Sequence, residues 1–347
     1  MQEFPSFKKI IFIAVLLICF FILYNLIQQR NLLLDQNSDT TKEGFSSETN
    51  TMATIRNTTM SNTLPLKQYV IMSSWNSCVE STYKVSLKQL NHVLENGCRF
   101  LDFEVYNVDD KPVIAYSSSG YIATQPNQEI DSNTLKFRDV CNLVASTSKA
   151  PNKNDPLFLH FRVKTNNMSI LEKMAIDIMG SGLKDKGLGE ESLSGDMLLS
   201  ELQNKVIILI DKTYVPNIDR DVCRVGCEMD IRDMIDYSGV SSFSSMKLSQ
   251  QLEQNVRPLQ KETDDVSNAK KWKMVTHDFG THYIDHNASY MDFKKMVLDH
   301  RAQIIPFKFQ YSDEALTEYK NFFSDNGHRA FVPLAVAHDA LLFSSSN

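Results

Sequence analysis

Leu94-Glu95-Asn96-Gly97-Cys98-Arg99-Phe100-Leu101-Asp102-Phe103-Glu104 ends one element and begins another. Leu87, Leu90, Val93 and Leu94 recur at helical spacing, and Gly97 is a good stop for that helix. From Phe100 to Val105 the residues read as a strand. Asp102 and Glu104 stand two apart on it, so both side chains leave the same face. A helix, a glycine, then a strand carrying paired carboxylates is one unit of an alternating α/β chain.

The same alternation continues on both sides. Tyr69-Val70-Ile71-Met72 is a strand candidate upstream. Downstream, Val113 to Tyr116, Leu157 to Val163, Val206 to Ile210, Ile304 to Phe309 and Phe331 to Leu334 read as strands. Ile170 to Met179 reads as a helix with Gly180 just past its end. Val206 to Ile210 is apolar on both faces, as a buried parallel strand should be. The pattern predicts a parallel sheet with helices outside, open or closed as a (β/α)8 barrel. Thr213 to Gly239 interrupts it: this segment is charged, contains Cys223 and Cys227, and reads as a connector between two halves.

The chain has 347 residues, 42% of them hydrophobic, enough for a sizeable core. A formal charge of −6 gives no basic field, which argues against non-specific nucleic-acid binding. Membrane contact therefore needs an anchor rather than charge. Ile10 to Ile27, IIFIAVLLICFFILYNLI, is apolar but for Tyr24 and Asn25, and reads as a bilayer-spanning helix. A cleaved signal peptide and a buried core helix are the alternatives. Gln28, Gln29 and Arg30 supply no small-residue cleavage site. Lys8 and Lys9 before the helix place the short N-terminus in the cytoplasm and the bulk of the chain on the non-cytoplasmic side. The expected organisation is an N-terminus 1–9, a transmembrane anchor 10–27, a flexible Asn/Ser/Thr-rich stalk 28–64, half domains 65–212 and 240–340, and the connector 213–239. Asn57, Asn167 and Asn287 begin glycosylation triplets that matter only in a secretory lumen. Cys78, Cys98, Cys141, Cys223 and Cys227 are odd in number; they read as buried or free thiols, with room for one disulfide, ahead of a metal site.

Taken together, these segments resemble a known family. Pro65-Leu66-Lys67-Gln68-Tyr69-Val70-Ile71-Met72-Ser73-Ser74-Trp75-Asn76 resembles the opening of the X region of eukaryotic phosphoinositide-specific phospholipase C, typically Pro-Leu-x-x-Tyr-x-Ile-x-Ser-Ser-His-Asn. Gly97-Cys98-Arg99 to Glu104 follows its Gly-Cys-Arg-x-x-Glu-x-Asp segment. Pro156 to Arg162 falls where the family has Pro-Val-Ile-Leu-Ser-Leu-Glu. In the second half, Ser241 to Lys247 resembles the Y region's Ser-Phe-Ser-Glu-x-Lys, and Gln303 to Gln310 resembles its Gln-x-Val-Ala-Leu-Asn-Phe-Gln. The resemblance covers about Pro65 to Leu334 in order and implies a (β/α)8, TIM-like barrel of the phospholipase C type.

It also implies a reaction, the cleavage of a phosphoinositide phosphodiester by the inositol 2-hydroxyl. Such a reaction needs a cation, a donor to the non-bridging oxygen and an acid for the leaving group. The family's first histidine is Trp75 here, and its second falls at Ser117. Asn76 is kept, Glu-x-Asp is reversed as Asp102 and Glu104, and the last acidic position is Arg162. If calcium binds, Asn76, Asp102 and Glu104 are its expected ligands. Arg162 is expected to pair with the two carboxylates instead. His160 shares the face of Arg162, either as a relocated acid or as a satisfied polar residue. Lys212 and Ser242 match headgroup-binding positions, while Val275 and His277 fall where the family has Arg and Tyr. His282 and His286 carry only a weak metal reading. The expected protein is a membrane-anchored pseudoenzyme that uses its barrel to bind lipid, phosphatidylinositol included, or a protein partner, with no cofactor. The alternative is an active phosphoric diester hydrolase with a rearranged site built on Asn76, Asp102, Glu104, His160 and Arg162.

Overall fold

The computed structural model describes residues 63–117, 130, 132–147, 154–165, 167–188, 193–211, 228–236, 243–247, 272–276 and 292–343. All lie in the larger of two compact units, 51–347. The expected anchor Ile10–Ile27 and stalk, save its last two residues, fall outside the described residues. Among the described residues no helix is long and apolar enough to cross a membrane.

The strands are β1 Tyr69–Ile71, β2 Ser73–Ser74, β3 Phe100–Val108, β4 Lys111–Ile114, β5 Leu135–Lys136, β6 Leu157–Val163, β7 Val206–Ile210, β8 Phe243–Lys247, β9 Trp272–Thr276 and β10 Phe331–Pro333. The α-helices are α1 Leu87–Glu95, α2 Phe137–Thr147, α3 Met168–Ser181, α4 Phe293–Leu298, α5 Glu314–Asp325 and α6 Leu334–Phe343. β2, β3, β6 and β7 run parallel, with β6 between β3 and β7. On the other side, Ile71 and Ser74 make parallel bridges to Ile304 and Phe307, and Ile304 bridges Met274 of β9, itself parallel to β8. The parallel order is therefore β7-β6-β3-β2, the 304–307 run, β9 and β8. It is a mixed α/β fold in which strands and helices alternate along the chain.

Several expected elements are corrected. The Val113–Tyr116 strand is β4, Lys111–Ile114, and it is antiparallel to β3. Asp109 and Asp110, with φ of 50° and 56°, form the tight hairpin turn that makes this pairing. Phe331–Pro333 is antiparallel to β1, not part of the parallel set. Ile304–Phe309 forms bridges rather than a strand, because Pro306 has no N–H for a continuous ladder. Gly180 lies inside α3; the residue that stops it is Gly182, left-handed at φ 74°.

One apolar core runs behind the sheet. Phe103 and Phe161, side by side on β3 and β6 with centroids 5.6 Å apart, meet Phe137 of α2 at 5.1 Å from Phe161. All five residues of β7 are buried, as its sequence required. Cys78, Cys98 and Cys141 are buried free thiols; Cys223 and Cys227 lie outside the described residues.

Candidate functional site

The register of β3 against β6 builds the site. Asp102 lies opposite His160 and Glu104 opposite Arg162. Alternate residues of a strand share a face, so these four occupy one face while Phe103 and Phe161 occupy the other. Asn76 follows β2 at a left-handed φ of 47°, a conformation asparagine tolerates better than most residues. That turn brings Trp75 and Asn76 over the same face.

Arg162 is at the centre. Its Nε donates to Asp102 Oδ1 (2.9 Å), Nη1 to Glu104 Oε1 (2.7 Å), and Nη2 to both Asp102 Oδ2 and Asn76 Oδ1 (2.6 Å each). Its Cζ stands 3.8 Å from the centroid of the Trp75 ring. A guanidinium over indole is worth about 2 kcal/mol when desolvated. Asp102 also accepts from the Asn76 backbone N–H (3.2 Å) and contacts His160 Nδ1 at 2.8 Å. An ionised carboxylate only accepts, so His160 donates there and carries its proton on Nδ1. Glu104 Oε2 accepts from the Tyr106 hydroxyl (2.8 Å), and Lys164 Nζ lies 3.6 Å from Glu104 Oε1. The cluster is dry: Asp102 and Arg162 are 0% exposed, Trp75, Glu104 and His160 2%, and Asn76 5%.

Two carboxylates face two cations, so the cluster is neutral at its heart. Burial alone would raise the Asp102 carboxyl. The charge of Arg162 and hydrogen bonds from His160 and Arg162 override it and hold the group well below the usual carboxylate range. Burial lowers Lys164 to about 8, against the opposing pull of Glu104. Burial and the neighbouring Glu104 together push the Tyr106 phenol far up. Charges buried this deeply are tolerated only because each has an opposite partner and hydrogen bonds.

Asn76, Asp102, Glu104, His160 and Arg162 are thus brought together, as the sequence suggested. A calcium ion does not fit the arrangement. Asn76 Oδ1, both Asp102 oxygens and Glu104 Oε1 are each engaged by an Arg162 nitrogen at 2.6–2.9 Å, and Glu104 Oε2 by the Tyr106 hydroxyl at 2.8 Å. Among the described residues no group of three or more His, Cys, Asp or Glu is placed to hold a metal. Ser117 is half-buried beyond β4, next to Tyr116, whose ring stacks on Tyr83 at 5.5 Å. Lys212, Ser242, His277, His282 and His286 lie outside the described residues. Val275 is fully buried. Lys164 and Tyr106 escaped the sequence reading, as did the stacking role of Trp75. The signal was present: Lys164 is two past Arg162, and Tyr106 two past Glu104, on the same strand faces.

The charged centre thus sits on facing positions of two adjacent parallel strands, β3 and β6. Residues 62–212 match the family model described as phosphatidylinositol-specific phospholipase C, X domain. That match covers 151 of the chain's 347 residues. Its fold is similar to PLC21 of S. officinalis, with 18% identity and a TM-score of 0.58 over 78% of this chain and 37% of that one. PLC21 of L. pealei aligns with 17% identity and a TM-score of 0.57 over 78% and 37%. The chain thus spans well under half the length of those structures. No curated protein sequence matches it.

Proposed function

We propose that this is a membrane-anchored, phospholipase C-like (β/α)8 barrel whose catalytic centre has become a structural ion cluster, and that it serves as a binding module for membrane lipid, phosphatidylinositol included, or for a protein partner. Residues 240–340 would form the Y-like half, and the barrel would sit on the non-cytoplasmic side. The observation that carries the reading is Arg162, held by Asp102, Glu104 and Asn76 and covered by Trp75. A guanidinium stands where a divalent ion would sit, and an indole stands where the family has an imidazole. Indole donates one N–H and does not shuttle protons near neutral pH. The parallel order from β7 round to β8 supports the barrel.

One observation favours the second reading, an active phosphodiesterase: the His160–Asp102 contact of 2.8 Å, a pairing that orients an imidazole for proton transfer. The test is release of inositol phosphate from phosphatidylinositol vesicles by the full chain, with and without calcium. The expected result is no release above a protein-free background, and binding to the vesicles unaffected by chelator. Release that disappears in His160→Gln, with the variant still folded, would establish the second reading in place of the first.

A further inference from the structure

The outer edge of β7 is occupied in a way the sequence did not announce. In the β6–β7 ladder, Leu157 N–H donates to Lys205 O (3.0 Å) and Asp211 N–H donates to Phe161 O (3.0 Å). Backbone groups of a parallel strand alternate between its two neighbours. With residues 205, 207, 209 and 211 turned toward β6, residues 206, 208 and 210 turn outward. An exposed row of such groups invites another strand.

At the centre of that edge stands Asp236. Its N–H donates to Ile208 O (2.9 Å), and its Oδ2 accepts from Ile208 N–H (2.8 Å). One residue thus makes both bonds that a neighbouring strand would make to Ile208. Asp236 also accepts from Leu188 N–H through Oδ1 (3.0 Å) and from Leu193 N–H through its carbonyl (3.0 Å). The residues before it are seated as firmly. Ile231 is 0% and Met234 3% exposed. Asp230 caps the short turn Ile231–Asp233 by accepting from Arg232 N–H (2.9 Å). Glu228 N–H donates to Glu172 Oε1 on α3 (2.8 Å). Among the described strands, β8 pairs with β9 and no ladder joins β8 to β7.

We propose that Glu228–Asp236 is a strap that takes the place of a β8 ladder on β7, so that the seam between the two half barrels is fastened by Asp236 and opens when Asp236 lets go. The seam's identity rests on the barrel reading above; the strap does not depend on whether the charged cluster is catalytic. A side chain and one peptide group fix the seam at one point. A strand would fix it along its whole length, so this edge is the natural place for the barrel to yield.

Residue-resolved hydrogen exchange on the full chain in detergent micelles tests this, since amide exchange reads local opening. In the native chain, Ile208 and Leu188 amides should be protected. In Asp236→Ala both should exchange at least about tenfold faster, while Phe158 of β6 is unchanged. Asp236→Asn keeps the shape and one acceptor oxygen, and should give a smaller acceleration at the same two amides. Ile208 exchanging in the native chain at the rate of an open edge would overturn the proposal, and so would an Asp236→Ala effect spread evenly over the sheet. Failure of the barrel reading shows elsewhere, as lost protection at Trp75 and Phe307, whose amides join β2 to the 304–307 run.

Discussion

Arg162 makes four hydrogen bonds to groups that are themselves buried, and its removal should therefore be costly. Arg162→Ala leaves Asp102 and Glu104 in a dry site with Lys164 as the remaining cation near Glu104. Breaking a buried pair by deleting one partner typically costs about 3–5 kcal/mol. Urea unfolding of the variant should show a loss of that size; a loss below about 1 kcal/mol would mean that water already reaches the cluster. Trp75→His is the complementary change. It places an imidazole where the resembled family has one, but removes the indole face from Arg162 and leaves a cavity. Stability should fall by about 2–4 kcal/mol, with no gain of phosphodiesterase activity in the vesicle assay. Appearance of turnover in this variant would show that the Arg162 cluster leaves room for substrate. The heart of this site was legible in sequence because a period of two puts Asp102, Glu104, His160 and Arg162 on one face. The stack of Trp75 on Arg162 was not legible, since it depends on the left-handed turn at Asn76 and on the β3–β6 register.

At the scale of elements, the sequence was clearest where burial is complete. Leu157–Val163 and Val206–Ile210 fall where the apolar runs placed them. Helix α1 begins after Ser86, whose side chain accepts from Gln89 N–H at 3.0 Å; the apolar spacing located the helix without that cap. Ser86→Ala should cost about 1 kcal/mol, read as a lower midpoint in the same urea titration with an unchanged slope. The misreadings have local causes. Gly180 looked like a stop, but it lies inside the helix, where a Cβ would meet Arg138 Nη2 of α2 at 3.0 Å. Gly182 ends the helix. The β3–β4 hairpin was hidden because Asp109-Asp110 is not one of the glycine-bearing turns that announce themselves. The 228–236 segment was read as part of a connector because its apolar residues, Ile231 and Met234 among them, lie in a short charged run without a helix or strand period. What holds the segment, four hydrogen bonds of Asp236 to backbone groups, two of them through its carboxylate, leaves no periodic signature.

For the whole molecule, the charged centre makes stability depend on pH at both ends of the scale. Asp102 titrates lower when folded than when unfolded, so its contribution is full above the ordinary carboxylate value of 3.8 and is lost as the pH falls below it. Lys164 works the other way. Its folded value of about 8 lies below the ordinary 10.5, so between those values the unfolded chain holds more protons. Stability gained from this residue must then rise with pH, by at most about 1.4 kcal/mol per unit for one proton. Other lysines and tyrosines also titrate in that range, so the informative quantity is a difference. Lys164→Met keeps the length of the side chain and removes the amine, leaving Glu104 to Arg162 and Tyr106. The stability of the native chain minus that of Lys164→Met should climb from pH 8 to pH 10. A flat difference over that range would mean that Lys164 is solvated and that the charge balance of the cluster rests on Arg162 alone.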